Sequence, residues 1–154
     1  MRKNWYLEWE AVIYDPGCLS AKGFVNGKEV LETVVRTTGA PCSIQLIPDR
    51  IIMKSDGEDV AAITVRILDE MGNVVPYADN QLIFEIAGEG SFLGCGNGNP
   101  GSHESDQIPV KRAFHGLCQV LIRSGFTSGK ISVMAKAEGL KSASCVISVC
   151  ELRS

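Results

Sequence analysis

The chain has 154 residues, with 15 Lys and Arg against 18 Asp and Glu, a net charge of −3. Mild acidity argues against nucleic-acid binding, which needs a concentrated basic face to displace counterions. Hydrophobic residues make up 45% and charged residues 21%, a globular composition that disfavours disorder, and no apolar run approaches the ~20 residues of a membrane helix.

Strand patterns recur along the chain, and no window keeps a helical i, i+3, i+4, i+7 spacing. Trp5, Leu7, Trp9, Ala11 and Ile13 fall on one face of a first predicted strand. Asp15-Pro16-Gly17 turns the chain, and Leu19 to Val25 forms a second strand. Asn26-Gly27 is a strong hairpin signal, because both residues tolerate positive φ. Lys28 to Arg36 returns, and Thr37-Thr38-Gly39-Ala40-Pro41 reads as a linker. Ser43 to Ile47 is a short strand stopped by Pro48-Asp49. Ile63, Val65 and Ile67 alternate with Thr64, Arg66 and Leu68, and Asp69-Glu70-Met71-Gly72-Asn73 is a turn. Leu82, Phe84 and Ile86 share a face, and residues 88–101 read as a Gly- and Asn-rich loop that runs on to about Pro109. Phe114, Gly116, Cys118, Val120 and Ile122 line one face of a long strand. Ile131, Val133, Ala135 and Ala137 line the next, and Ala143, Cys145, Ile147 and Val149 the last.

The pattern predicts an all-β chain with two unequal parts. Residues 1–40 hold three strands and a linker, too few for a closed sandwich, and read as the C-terminal part of a preceding immunoglobulin-like domain. Residues 41–154 hold about seven strands, enough for a complete immunoglobulin-like β-sandwich. Met1-Arg2-Lys3-Asn4-Trp5 leads into no apolar run, so no secretory leader is expected in these residues. The six cysteines (Cys18, Cys42, Cys95, Cys118, Cys145, Cys150) include no C-x-x-C pair, so the usual zinc and redox spacings are absent. They read as small buried hydrophobes with free thiols, which indicates no compartment.

Two stretches carry resemblances. Residues 60–137, with Ile63-Thr64-Val65-Arg66-Ile67-Leu68-Asp69-Glu70-Met71-Gly72-Asn73-Val74-Val75-Pro76 and Leu82-Ile83-Phe84-Glu85-Ile86, resemble bacterial immunoglobulin-like modules of the invasin and intimin type. A narrower resemblance covers nearly the whole chain. Tyr14 to Phe24 is similar to a "Y-x-P-G-x-L-x-A-x-G-Y" strand pair. Leu93-Gly94-Cys95-Gly96-Asn97-Gly98-Asn99-Pro100-Gly101-Ser102-His103-Glu104 is similar to "L-G-x-G-N-G-D-P-x-S-H-E", and Arg112-Ala113-Phe114-His115-Gly116 to "R-x-A-F-x-G". These patterns resemble the C-terminal region of glycoside hydrolase family 2 enzymes, mostly bacterial β-galactosidases. Asn99 departs from the Asp of that pattern, which weakens a metal reading of the loop, and Cys18, Cys95 and Cys118 stand where Thr, Val or another small residue is expected.

The resemblance implies a non-catalytic accessory segment, acting as scaffold or interaction surface, of a retaining glycosidase that cleaves terminal β-galactosides. Its partners would be the catalytic domain and the neighbouring immunoglobulin-like domains. The compartment would be periplasmic or cytoplasmic. A carbohydrate-binding module and a surface adhesion or spacer module are the alternatives.

Candidate site residues follow from residue type. Asn97, Asn99, His103 and Glu104 form a polar loop that could contact a partner. Oxygen ligands in a loop suit calcium, but with few carboxylates the favoured role is structural, the Asn and Ser side chains bonding to loop backbone and His103 tying the loop down or touching a neighbouring domain. Trp5, Trp9 and Tyr14 could stack on sugar rings, or be the half-core of the incomplete first part. In that second case residues 5–36 are expected to self-associate or to be poorly ordered. No catalytic pair is expected: Glu85 and Glu89 are the nearest mid-chain acids, on a solvated face. His115 should face outward without triad partners, and Cys118 should be buried and inert. No cofactor or metal is expected.

Overall fold

Asn26 and Gly27 take φ of 49° and 76°, the positive values a two-residue hairpin turn demands. They join β1 (Cys18–Val25) to β2 (Lys28–Arg36) as an antiparallel pair with Val25 opposite Lys28 and Leu19 opposite Val35. This is seen in a computed structural model, which describes residues 13–151. The expected first strand, with Trp5 and Trp9, lies outside the described residues apart from its last residue, Ile13. The chain divides into two units, residues 1–37 and 38–154.

The hairpin is amphipathic. Leu19, Ala21 and Gly23 stand opposite Val35, Thr33 and Leu31, and the intervening pairs include Lys22 opposite Glu32. Alternation therefore puts Leu19, Leu31 and Val35 on one face and Lys22, with Phe24 and Val34, on the other, where Lys22 Nζ lies 3.1 Å from Glu29 Oε2 and 3.6 Å from Glu32 Oε1. The first face is open: Leu31 is 65% and Val35 67% exposed.

The second unit is a β-sandwich of two sheets. Its strands are β3 (Ser43–Pro48), β4 (Ile52–Lys54), β5 (Val60–Leu68), β6 (Gln81–Gly88), β7 (Gly90–Gly96), β8 (Val110–Arg112), β9 (Leu117–Ser124), β10 (Gly129–Lys136) and β11 (Ala143–Cys150). One sheet has the order β3-β5-β9-β7 and the other β4-β11-β10-β6-β8. Neighbours are antiparallel except β4, which runs parallel to β11.

The expected alternation supplies the core. Ile63, Val65 and Ile67 of β5, Val120 and Ile122 of β9, Leu82 of β6, Ile131 and Val133 of β10 and Ile147 of β11 are fully buried between the sheets. All but Leu82 are β-branched, a shape that suits the pleat, and each of these side chains contributes roughly 1.5–3 kcal/mol on burial. Met53 brings the short β4 into the same core.

Three features depart from expectation. Residues 90–96, expected as loop, form β7, with a register shift between Phe92 and Gly94. The three-residue β4 and β8 close the edges of one sheet, where brevity limits edge pairing. The long strand expected from Phe114 begins at Leu117, because His115 and Gly116 take φ of 52° and 73° and make a tight turn in which Phe114 and Leu117 exchange backbone hydrogen bonds of 2.8 and 3.0 Å.

The Asp69–Asn73 turn is built on one carboxylate. Asp69 is 4% exposed. Its Oδ1 accepts the amides of Met71 at 2.9 Å and Asn73 at 2.8 Å, while Gly72 takes φ of 80°, which a residue with a Cβ resists.

Candidate functional site

The polar loop leaves β7 at Gly96, and its first turns are made by side chains bonding to nearby amides, as Asn and Ser do. Asn97 Oδ1 accepts the amide of Asn99 at 3.0 Å, and Asn99 Oδ1 that of Gly101 at 2.9 Å. Ser102 Oγ accepts the amide of Glu104 at 3.3 Å, and Ser105 Oγ that of Gln107 at 3.1 Å.

The loop is also tied to β8. Asn97 Nδ2 donates to Arg112 O at 3.0 Å, and the Arg112 amide donates to Glu104 Oε2 at 3.1 Å. Three of the four candidate loop residues, Asn97, Asn99 and Glu104, thus bond to the loop itself or its flanking strand. His103 is exposed and its ring makes no hydrogen bond among the described residues.

The centre of the arrangement is Lys111. Strand β8 pairs with β6 so that Lys111 lies opposite the buried Leu82, and its side chain is 2% exposed. Its ammonium donates to Asp106 Oδ1 at 2.5 Å and to Glu104 O at 3.0 Å. A buried ammonium is costly unless paired and hydrogen-bonded, and here the loop folds over it to provide both partners. The hydrogen bond that Lys111 donates to Asp106 raises the Lys111 pKa, against the lowering effect of burial, so the group is held cationic. Asp106 O also accepts the Cys95 amide at 3.0 Å, so the loop covers the free edge of β7. Lys111 was not among the residues singled out by type. Its one sequence signal is its place between Val110 and Ala113 in a short strand.

The thiols here are not nucleophiles. Burial raises the pKa of Cys95, whose Sγ donates to Ile108 O at 3.3 Å, and pushes Cys118 up to about 12. A reactive cysteine needs the opposite environment.

The remaining candidates stand apart. Glu85 pairs with Lys136 at 2.6 Å on the open face of β6 and β10. Glu89 lies in the β6–β7 turn, its amide donating to Lys130 O at 3.0 Å and its carbonyl accepting from the Gly125 amide at 2.8 Å. His115 is exposed, with Nδ1 2.9 Å from Pro76 O. Tyr14 is exposed, its hydroxyl 3.1 Å from Thr37 Oγ1. Among the described residues no group of three or more His, Cys, Asp or Glu is placed to hold a metal ion. What the loop arrangement does chemically is close a sheet edge and neutralise a buried cation.

Comparison with known proteins follows the same outline. The family described as "Glycoside hydrolase family 2 C-terminal domain 5" matches residues 44–146. The chain is 40% identical to β-galactosidase BoGH2A of Bacteroides ovatus over 97% of its own length and 17% of that protein's. It is 29% identical to a β-glucuronidase of Formosa agariphila over 94% of its length and 15% of that protein's. A crystal structure of a glycosyl hydrolase family 2 member from Bacteroides cellulosilyticus superposes with a TM-score of 0.87 and 33% identity, over 90% of this chain and 18% of that one. The chain therefore spans less than a fifth of each of these proteins. The immunoglobulin-like sandwich and the extent of these matches agree: the chain belongs to the glycoside hydrolase family 2 C-terminal domain 5 family.

Proposed function

We propose that the chain is the non-catalytic C-terminal accessory part of a longer retaining enzyme that hydrolyses terminal β-galactosides. The observation that carries this reading is the 40% identity to a β-galactosidase across 97% of the chain, hairpin included, in 17% of that protein's length. A retaining glycosidase sets two carboxylates about 5 Å apart in a cleft. Here Glu85 is engaged by Lys136 on an open sheet face, and the loop polar groups are largely turned to their own backbone. Hydrolysis would belong to the rest of the enzyme, and the sandwich would act as a buttress or spacer for it.

In this reading residues 1–40 complete a preceding immunoglobulin-like domain, and residues 41–154 are a domain of their own. The apolar row of Leu19, Leu31 and Val35 is what an inward sheet face looks like without its opposing sheet, and a lone two-stranded hairpin is marginal in water. Strands of the preceding domain would cover it. Residues 5–36 would otherwise associate with another copy.

The test is the full-length enzyme assayed on nitrophenyl β-galactoside and β-glucuronide, intact and lacking residues 38–154, beside the isolated chain on a glycan array. The expected result is galactoside hydrolysis, with the deletion lowering thermal stability while KM is unchanged, and silence on the array. Glycan binding by the folded chain that disappears in His103→Ala would overturn the scaffold role. Hydrolysis of the glucuronide alone would overturn the substrate.

A further inference from the structure

We infer that Asp69 and Tyr77 form a clamp on the linker at Gly39, so that the segment leading into the sandwich is rigid from that residue onward. Both backbone polar groups of Gly39 are taken by side chains far along the chain. Its amide donates to Asp69 Oδ2 at 2.9 Å, and its carbonyl accepts from the Tyr77 hydroxyl at 2.8 Å.

The two jaws differ in kind. Asp69 is buried, and its Oδ1 is fixed by the amides of Met71 and Asn73. Asn73 Nδ2 adds contacts of 3.3 and 3.2 Å to the two oxygens. The turn therefore aims Oδ2 at Gly39 before any linker is considered. Tyr77 is 63% exposed, so packing does not explain where its ring lies. Its hydroxyl reaches Gly39 across 38 residues of sequence.

The segment after Gly39 is restrained as well. Pro41 confines Ala40 to extended conformations. The Cys42 amide donates to Leu68 O at 2.8 Å, the Cys42 carbonyl accepts from the Lys141 amide at 2.9 Å, and the Ile44 amide donates to Lys141 O at 3.0 Å. Residues 42–44 are thus bonded both to β5 and to the segment before β11. A composition of Thr-Thr-Gly-Ala-Pro suggests a loose joint, but the bonds confine any change of chain direction to the residues ahead of Gly39. The clamp follows from the local hydrogen bonds and does not depend on the accessory role proposed above.

The experiment is amide exchange and 15N relaxation by NMR on the chain, wild type and Tyr77→Phe. In the wild type the Gly39 amide should be protected, and order parameters for residues 39–42 should lie near the rigid value of about 0.85. Tyr77→Phe removes one exposed hydroxyl and should leave the exchange of core amides such as Val65 and Val133 unchanged. Gly39 exchange should rise by about fivefold, the factor one net hydrogen bond is worth. Asp69→Asn should raise it further. An unprotected Gly39 in the wild type, order parameters below about 0.6 at residues 39–41, or a Tyr77→Phe change confined to core amides would overturn the clamp.

Discussion

Leu31 and Val35 of the hairpin are 65% and 67% exposed, whereas Ile63 and Val65 of the sandwich are wholly buried. Both pairs sit at alternate positions of nine-residue strands rich in β-branched residues, and both lie on the apolar side of an antiparallel ladder. Alternation in sequence thus specifies a face, but the partner that dries that face must come from elsewhere in the fold. In the sandwich the second sheet provides it. In the hairpin the described residues supply backbone pairing, the Thr37 bonds to Tyr14 and Gly17 and the Lys22 ion pairs, and exposed pairs contribute ~0–1 kcal/mol.

The comparison is broken most directly in the core. Ile63→Ala removes a fully buried side chain and should destabilise the sandwich by about 2–5 kcal/mol. Leu31→Ala, at an open surface, should change stability by no more than about 0.5 kcal/mol. Urea unfolding followed by strand circular dichroism measures both. A cost for Leu31→Ala approaching that for Ile63→Ala would mean that the hairpin face is covered in solution, as self-association through residues 5–36 requires.

A smaller contrast separates two turns of similar chemistry. Gly27 and Gly116 both have positive φ, 76° and 73°. A Cβ on Gly27 meets nothing within 4 Å, whereas one on Gly116 runs into Val75 O and lies 3.1 Å from Val74 Cγ1. Gly27→Ala should cost about 1–2 kcal/mol, the left-handed strain alone, and within the hairpin. Gly116→Ala adds overpacking and should cost about 2–4 kcal/mol, read as a lower melting temperature by calorimetry. Equal effects would show that backbone strain outweighs the crowding under Val75.

The same contrast explains what sequence reading reaches. The buried strands were legible because Ile63, Val65 and Ile67, or Ile131, Val133 and Ala135, repeat at the pleat's own period. Strand β7 was hidden because Gly94 and Gly96 carry no side chain to mark a face and the register slips beside Phe92. Three residues in β4 or β8 are too few to alternate. In the loop, the self-bonding of Asn97, Asn99, Ser102 and Ser105 could be read from residue type. The burial of Lys111 could not, because it follows from pairing with Leu82 across the sheet. The Gly39 clamp was equally invisible, its three members being 30 and 38 residues apart.

A milder test concerns charge at Asp69. The Gly39 amide, and then the amide and side chain of Asn73 and the amide of Met71, hold its carboxyl below the ordinary range, against the raising effect of burial. A carboxyl with a depressed folded-state pKa stabilises the fold above its unfolded pKa of about 3.9, and that contribution fades as pH falls through the lower folded value. Asp69→Asn should therefore be less stable than wild type near neutral pH, with the gap in urea midpoint narrowing below about pH 4. Asp56 is shifted in the same direction by the amides of Glu58 and Asp59, but it is present in both proteins, so the difference between them reports Asp69. In the hairpin, Glu29→Gln removes an exposed partner of Lys22, and its smaller effect should fade with added salt instead. A gap for Asp69→Asn that persists unchanged to roughly pH 3 would mean that the substituted amide disturbs the geometry of the turn, and that the negative charge contributes little to holding it.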